Sequence, residues 1–431
     1  MAHAQPRPRP TLQPEYCKGC GRCIDTCARH CIAPGSEIDP LTGLVPVTLS
    51  LDECNGCGLC VDACPEPYGL LSGGGLLSEG GLLSESLPVP EMPTPDGPRP
   101  VAQPAADIPA SLAALPEGRP LILKGAHASA IGALLAGCRH FFGYPITPST
   151  EGAELMARLL PQLGGHFVQA VSEVAAINMM YGCGGAGLRT MTFTSSPGFS
   201  LMLEGLSYMI GAEVPGVVVD VMRGGPGLGN IGPEQSDIKL LCRGLGHGGT
   251  QAVVLAPATP QEMLDFTQLA FELAFKYRNP VIIAADGYLG QMTGKVTLPP
   301  ALVHPGLPGW AVHGDAAHRR NLINSIHLAE ADLEAHNRHL QAKYLRMTKA
   351  EQRADTYRCG DAEVLLVACN TPARMAKGAV RALRDEGIAA GLFRPQTLWP
   401  FPIRERSVRA PTGQTLTHCP QKTQSLPCRP R

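Results

Sequence analysis

No sign of charge predominates in this chain: 36 Lys and Arg stand against 37 Asp and Glu, a formal net charge of −1 over 431 residues. That balance withholds the basic patch of a nucleic-acid binder and the attraction to an anionic membrane surface. Long apolar runs are also missing, and none approaches the roughly 18 residues that cross a bilayer. Residues 1–16 are rich in Pro and Arg without an apolar centre, so they do not read as a secretory signal. A chain of this length is expected to hold two or three domains around at least one large core.

Cysteine, by contrast, is abundant. Sixteen would point to disulfides in a small secreted protein, but nine of them crowd into residues 17–64 at spacings that suit metal ligation. A reducing cytoplasm is the compartment consistent with that usage. The run Cys17-x-x-Cys20-x-x-Cys23-x-x-x-Cys27 recurs as Cys54-x-x-Cys57-x-x-Cys60-x-x-x-Cys64, followed by Pro65. In such paired runs each leading trio wraps one iron–sulfur cube, and the fourth cysteine ligates the other cube. Cys17, Cys20, Cys23 and Cys64 are therefore assigned to one [4Fe–4S] cluster, and Cys54, Cys57, Cys60 and Cys27 to a second. Zinc is the alternative for paired Cys-x-x-Cys units, disfavoured here by two complete four-member runs. Gly19, Gly21, Gly56 and Gly58 keep the loops small enough for backbone N–H groups to reach the sulfurs. Cys31 stands outside the pattern as a buried thiol, and residues 32–51 read as a hairpin turning at Pro40-Leu41-Thr42-Gly43. Residues 14–65 resemble a bacterial two-cluster ferredoxin, which sets a first domain at 1–65.

Residues 66–120 read as a linker. Gly74-Gly75-Leu76-Leu77-Ser78-Glu79 repeats at once as residues 80–85, too few copies for a solenoid. Ten prolines follow between Pro88 and Pro120, the composition of a semi-rigid tether. From Leu121 to about residue 300, short apolar strands alternate with segments of helical period. Strands are expected at Leu121–Leu123, Arg139–Phe142, His166–Ala170, Arg189–Thr194, Gly216–Val221, Ala252–Leu255 and Pro280–Ala284. Helices are expected at Ala126–Ala136, Thr150–Leu160, Glu173–Tyr181, Leu201–Ile210 and Pro260–Phe275. That alternation predicts a parallel sheet covered on both faces.

Three loops at the ends of these strands attract attention. Gly143-Tyr144-Pro145-Ile146-Thr147-Pro148-Ser149-Thr150-Glu151 is a proline-stiffened strand-to-helix turn, with Ser149 or Thr150 placed to cap the helix. Ser195-Ser196-Pro197-Gly198-Phe199 and Met222-Arg223-Gly224-Gly225-Pro226-Gly227-Leu228-Gly229 are glycine-rich and allow close backbone approach. Neither carries a dinucleotide fingerprint or a phosphate-loop ending. Arg223 suits either a carboxylate ligand or an ion pair with a nearby acid. Glu173 opens a helix, where an acid is also welcome on dipole grounds alone.

Taken in order, Gly143–Glu151, Ser172–Met179, Thr194–Ser200, Met222–Gly227 and Glu234-Gln235-Ser236-Asp237 resemble the α-type subunit of 2-oxoacid:ferredoxin oxidoreductases, in the 2-oxoglutarate/2-oxoisovalerate branch. The resemblance runs from about Leu121 to Pro402. It implies a doubly wound parallel-sheet domain of the thiamine-diphosphate pyrimidine type over 121–300. It further implies a subunit of an oxidative decarboxylase that takes a 2-oxoacid to acyl-coenzyme A and CO2 and passes electrons through [4Fe–4S] clusters. 2-Oxoglutarate comes first as substrate and a branched-chain 2-oxoacid next. Glu173 matches the glutamate that hydrogen-bonds the cofactor's aminopyrimidine ring. Thr147 matches a substrate-contacting threonine, and Arg223 an arginine facing the substrate carboxylate. Tyr144 and Ser196 are further pocket candidates. No Gly-Asp-Gly with a following Asn pair is present to carry Mg2+ and the diphosphate, and Asp286-Gly287 and Gly314-Asp315 lack the context. A β-type subunit is expected to supply that half, with a γ-type subunit and an external ferredoxin or flavodoxin as further partners. A non-catalytic electron-transfer adaptor, in which the ferredoxin part alone works, is the alternative reading.

Residues 301–360 read as a connector with a charged helix over Ile326–Arg353, and 361–405 as the start of a second α/β domain: strand Glu363–Ala368, helix Thr371–Glu386, strand Ala389–Phe393. Residues 394–402 resemble the family's junction in that domain. From Arg406 to Arg431 there are five Lys or Arg and no acid, with no periodicity, so this tail reads as truncated or out of frame. A half-built sheet would leave an apolar edge.

Overall fold

The computed structural model describes residues 9–17, 19–39, 44–64, 70–72 and 107–403. The chain divides into two compact units on either side of residue 100.

The first unit is built twice over. Gly21 and Gly58, at φ 78° and 81°, stand immediately before the short helices α1 (Arg22–Thr26) and α2 (Leu59–Asp62). Those angles are what a residue without a Cβ adopts cheaply. Each helix buries one cysteine, Cys23 or Cys60. Around them β1 (Pro10–Leu12) pairs antiparallel with a later strand at Leu70–Ser72, while β2 (Ile32–Pro34) pairs antiparallel with β3 (Val47–Leu49). The last two are the arms of the expected hairpin, whose turn at 40–43 lies outside the described residues. The strand at Leu70–Ser72, β4, falls within the stretch read as linker and returns to the start of the unit. The Gly-Gly-Leu-Leu-Ser-Glu repeat lies outside the described residues.

The second unit centres on a seven-stranded sheet. In chain order it contains β5 (Ser111–Ala114), β6 (Leu121–Lys124), α3 (Gly125–Leu135), β7 (His140–Gly143), α4 (Thr150–Leu159), β8 (His166–Gln169) and α5 (Glu173–Gly185). Then come β9 (Thr190–Thr194), α6 (Ser196–Gly211), β10 (Gly216–Met222), α7 (Ile238–Cys242), β11 (Val253–Leu255), α8 (Pro260–Tyr277), β12 (Pro280–Asp286) and α9 (Gly287–Gln291). It ends with β13 (Thr293–Val296), β14 (Ala301–His304), α10 (Glu330–Ala350), β15 (Ala354–Tyr357), β16 (Val364–Val367), α11 (Asn370–Asp385), β17 (Ala390–Pro395) and β18 (Thr397–Trp399). The main sheet runs β18-β11-β12-β10-β9-β7-β8, parallel except for β18 at one edge. Its central strands β10 and β12 are buried at every position, as sheets covered on both faces require.

Two details depart from the sequence reading. Leu121–Lys124 does not join the parallel sheet; β6 pairs antiparallel with β13 in a separate ribbon, and Ile122 stands 71% exposed. Its apolar run resembles a core strand only when read without partners. Secondly, β5 falls inside the proline-rich stretch and pairs with β14. It occupies the gap between Pro109 and Pro116, where every residue keeps the N–H a ladder needs.

Helix packing follows from small residues. A Cβ on Gly132 of α3 would come within 3.0 Å of the Leu264 Cα on α8, and the Ser129 and Thr267 hydroxyls meet between these helices at 2.7 Å. Larger side chains would hold the helices apart and cost the Ser129 hydroxyl this contact, while Thr267 would keep the Met263 carbonyl of its own helix at 2.6 Å. The C-terminal portion is anchored by Arg394, buried and paired through both terminal nitrogens with Glu262 at 2.7 and 2.8 Å. Such two-point pairing is the strongest geometry available to a carboxylate. In the small sheet β15-β17-β16, the edge strand β16 leaves Val364 and Val367 exposed. Residues 404–431 lie outside the described residues.

Candidate functional site

In the first unit the structure brings the fourth cysteine of each run to the other run's trio. Burial pushes the Cys23 thiol up, and the neighbouring thiols of Cys17, Cys64 and Cys20 add to it. Cys60 is raised by burial, with Cys27 and Cys57 as its thiol neighbours. A cavity of about 150 Å3 is lined by Cys27, Cys54, Cys57 and Cys60 together. Sulfurs grouped by fours around a common space fit a cluster cradle. Cys27 differs from Cys23 and Cys60: burial pushes its thiol up, but the N–H groups of Cys31, Arg29 and His30 outweigh this and hold it below the ordinary thiol value. The Cys31 N–H lies 3.3 Å from the Cys27 sulfur. Cys31 itself is buried, as expected. Among the described residues no three His, Cys, Asp or Glu side chains converge tightly enough for a single ion.

The three loops of the second unit meet at the carboxyl ends of β7, β9 and β10, the edge where open α/β sheets bind ligands. In the proline turn Ser149 does not cap α4 as expected. Its hydroxyl donates instead to the Ile146 carbonyl at 2.7 Å, closing the turn on itself. A side chain satisfied locally in this way is no longer free for the helix N–H groups. Arg223 reaches back to this turn: one terminal nitrogen donates to the Thr147 carbonyl at 2.7 Å and the other to the Leu228 carbonyl at 3.0 Å. It is 7% exposed, and its Nε has no partner among the described residues. Neither the expected carboxylate grip nor an ion pair describes this fork, which is folded onto backbone carbonyls. Ser196, the first residue of α6, accepts the Arg223 N–H at 2.9 Å and donates to Asp237. Thr147, Arg223 and Ser196 are thus drawn together. Tyr144 stands 40% exposed, outside this set of hydrogen bonds.

Glu173 is the first residue of α5, behind Ser172, whose hydroxyl accepts the Ala175 N–H at 3.2 Å. It is 4% exposed and packs against Gly198. A Cβ on Gly198 would stand 2.8 Å from Glu173 Cγ and closer still to Glu173 Oε1 and Thr194 Oγ1. The glycine of the Ser-Ser-Pro-Gly loop therefore makes room for an acid of this chain. No hydrogen bond from a described residue engages that carboxylate. An acid held at a helix N-terminus with its oxygens uncommitted fits the nitrogen-bearing ring of a cofactor.

Sequence reasoning did not single out two acids beside this wall. Asp237 lies in the quoted Glu234–Asp237 motif but only the fold sets it on Ser196. Asp220, in the middle of Gly216-Val-Val-Val-Asp220-Val-Met222, was visible as a lone acid in an apolar strand. A crevice of about 730 Å3, lined by Gln235, Asp286, Tyr288, Thr371 and Met375 among others, opens beside this wall without including Thr147, Glu173 or Arg223.

Residues 131–358 match the family model described as pyruvate flavodoxin/ferredoxin oxidoreductase, thiamine diP-binding. Residues 362–414 match pyruvate:ferredoxin oxidoreductase core domain II, and 16–67 a 4Fe-4S dicluster domain. The ketoisovalerate oxidoreductase subunit VorB of Methanothermobacter marburgensis is 52% identical over 288 residues, 66% of this chain and 82% of its own length. The 2-oxoglutarate synthase subunit KorA of Methanocaldococcus jannaschii is 37% identical over 303 residues, 65% of this chain and 83% of its own. Among solved structures, the 2-oxoglutarate:ferredoxin oxidoreductase from Magnetococcus marinus, with 2-oxoglutarate, coenzyme A and succinyl-CoA bound, aligns with a TM-score of 0.61 at 28% identity. That alignment covers 66% of this chain and 55% of the solved one, so this chain spans about half its length.

Proposed function

The chain belongs to the pyruvate flavodoxin/ferredoxin oxidoreductase family and carries a 4Fe-4S dicluster domain ahead of the family's thiamine-diphosphate-binding domain. On that premise we propose that it is the α-type subunit of a 2-oxoacid:ferredoxin oxidoreductase, acting on a 2-oxoacid, coenzyme A and a ferredoxin or flavodoxin acceptor. The observation that carries this is Glu173: buried, first in its helix, and uncommitted to any described donor. Thiamine diphosphate, when bound, supplies the electron sink for decarboxylation, and [4Fe–4S] clusters carry electrons one at a time.

Glu173 would hold the aminopyrimidine ring of the bound cofactor by a hydrogen bond with its carboxylate. Gly198 sets how far its carboxylate sits back, and α5 holds it in the first turn of the helix. Thr147 presents its hydroxyl to substrate from a turn held by Arg223. Arg223 contributes its positive charge to this wall while its N–H groups stay on the two carbonyls, so it draws in the substrate carboxylate by charge. Tyr144 and Ser196 complete the wall. Cys17, Cys20, Cys23 and Cys64 hold one cluster, and Cys54, Cys57, Cys60 and Cys27 the other.

Mg2+ and the diphosphate fall to a β-type subunit, since this chain has no Gly-Asp-Gly motif. Exposed apolar side chains near the site in sequence support a covering partner: Val171 is 88% exposed, and Val174, Leu228 and Ile231 are also uncovered. A γ-type subunit completes the assembly, which works in the cytoplasm; no helix among the described residues is long and apolar enough to cross a membrane. The identities of 52% and 37% favour a branched-chain 2-oxoacid over 2-oxoglutarate as substrate, reversing the order expected from motifs alone.

The test is co-purification with a β-type subunit and assay of coenzyme A-dependent reduction of a viologen dye, with 2-oxoisovalerate and 2-oxoglutarate side by side. Reduction by 2-oxoisovalerate at the higher kcat/KM is expected. A loaded complex that reduces the dye with no 2-oxoacid would sink the proposal and leave the adaptor role.

A further inference from the structure

A second crevice, of about 690 Å3, opens at the amino edge of the main sheet, where α8 ends ahead of β12 and α10 crosses it. Five of its lining side chains are cations, Lys276, Arg278, Lys343, Arg346 and Lys349, and one, Glu213, is an acid. The chain as a whole is balanced to a single charge. The excess is therefore a property of this place. The proposed chemistry makes no use of it.

The acids nearby do not cover these cations. Glu213 Oε1 is shared, taking Lys343 Nζ at 3.2 Å and His339 Nε2 at 3.0 Å. Lys276 pairs with Glu351 at 2.8 Å. Among the described residues no acid lies within ion-pair distance of Arg346 or Lys349, both exposed. Arg278 stacks over Trp310 at 4.4 Å and donates its Nε to the Glu213 carbonyl at 3.1 Å, which fixes the plane of its guanidinium. Burial pushes both the Lys343 ammonium and the Arg278 guanidinium down, with Glu213 opposing. An added anion would relieve both.

Helix ends account for part of the excess. Both α8 and α10 finish here, and each carboxyl terminus carries about half a negative charge. Once Glu213 is set against Lys343 and Glu351 against Lys276, three cations remain: Arg278, Arg346 and Lys349. The two helix ends then leave about two positive charges uncompensated. Charge of one sign around a concave, low-dielectric wall concentrates its field and draws in a counter-ion. About two charges match a phosphate dianion or a diphosphate better than a carboxylate, and the two arginines offer the planar fork that phosphate oxygens accept from. A lone inorganic ion would leave most of the space empty, since cavities of about 300–1,000 Å3 hold whole cofactors.

We propose that this crevice binds a phosphorylated small molecule of nucleotide size, held through its phosphates by Arg278, Lys343, Arg346 and Lys349. The seven residues of β12 separate it from the carboxyl edge of the sheet, about 20 Å away. It is thus distinct from the wall that carries Thr147 and Glu173, and it stands whatever role Glu173 has.

The experiment is isothermal titration of the full-length chain in phosphate-free buffer with ADP, inorganic phosphate and adenosine. ADP should bind with a Kd below about 1 mM, inorganic phosphate at least about tenfold more weakly, and adenosine not at all. Arg346→Gln/Lys349→Gln removes two exposed cations that hold no acid, and should weaken ADP by about tenfold or more, the scale of a lost contact between charged groups. Arg338→Gln removes a cation of the same helix that is paired with Glu334, outside the crevice, and should leave ADP binding unchanged. Without ligand the double variant should melt within about 2 °C of wild type. A larger fall would make these cations structural and overturn the proposal. So would an absence of saturable ADP binding, or adenosine binding as tightly as ADP. Unaltered ADP binding in the double variant would place the nucleotide elsewhere, and an equal loss in Arg338→Gln would reduce the effect to net charge; either result overturns the proposal.

Discussion

Replacing Gly198 by alanine tests the geometry of the site with a single methyl group. The added Cβ would lie 2.8 Å from Glu173 Cγ and nearer to its Oε1, whereas ordinary contact begins at 3.4 Å. The wall behind is the buried strand β9, so the carboxylate must give way by something on the order of 1 Å. Overpacking of this kind costs about 1–3 kcal/mol. Gly198 lies in the first turn of α6, where alanine recovers at most about 1 kcal/mol of helix propensity. Net destabilisation should stay within about 3 kcal/mol, a fall in melting temperature of only about 5 °C in a unit of this size. A misplacement of that size in a reacting group lowers rate by about a hundredfold, equivalent to about 2.7 kcal/mol of transition-state stabilisation. The assay is viologen reduction by the reconstituted complex, with thermal melting of the same preparation. Activity within about threefold of wild type in a folded, cofactor-loaded Gly198→Ala complex would refute the reasoning, because it would mean Glu173 has room the structure denies it.

Four other outcomes follow from named contacts. The crossed cluster assignment predicts that Cys17→Ser/Cys64→Ser, two hits on one cluster, leaves about four irons per chain, whereas Cys17→Ser/Cys27→Ser leaves almost none; iron analysis giving the reverse pattern would establish uncrossed ligation. Arg223→Met removes donors from the Thr147 and Leu228 carbonyls and should lower kcat/KM by about a hundredfold and stability by about 1.5–3 kcal/mol, read from initial rates and denaturant melts; an unchanged rate would remove Arg223 from the site. Burial pushes the Glu351 carboxyl up, but Lys276, Tyr277 and Arg353 outweigh it and hold it below the ordinary carboxylate value. Its contribution is therefore complete above the unfolded pKa of about 4.3 and lost as pH falls through the folded value. Glu351→Gln should be less stable by about 1–3 kcal/mol at pH 7, with the gap to wild type closing below about pH 4; a gap constant with pH would count against the ion-pair account. Gly378→Ala, inside α11 with nothing within 4 Å of the new methyl, should stabilise the second unit by about 0.5–1 kcal/mol in thermal melts.

Much of this protein is written locally. The paired cysteine runs carry their chemistry in spacing alone, because loop length decides whether four thiolates can close on one cluster. The strands β7 to β12 and helices α3 to α6 and α8 were legible for a related reason: their apolar periods answer to a sheet buried on both faces. Glu173, Thr147 and Arg223 were named as candidates through their motifs, yet nothing local said that Arg223 and Thr147 adjoin. Seventy-six positions separate Arg223 from the Thr147 carbonyl it holds. Only the parallel order of β7, β9 and β10 brings their loops to one edge.

Other points were decided by tertiary structure against local preference. Ser149 had the right chemistry for a cap but found a nearer acceptor in Ile146. Leu121–Lys124 had a core strand's composition but found its partner in β13, outside the main sheet. Asp220 is the sharpest case. A lone acid in an apolar strand is visible in sequence, but whether it is paired, ionised or neutral depends on which groups the neighbouring strands set beside it. Spacing therefore determined the clusters and the order of the elements. Three-dimensional packing decided where charge may reside, because the cost of a buried charge depends on neighbours that the order of residues does not name.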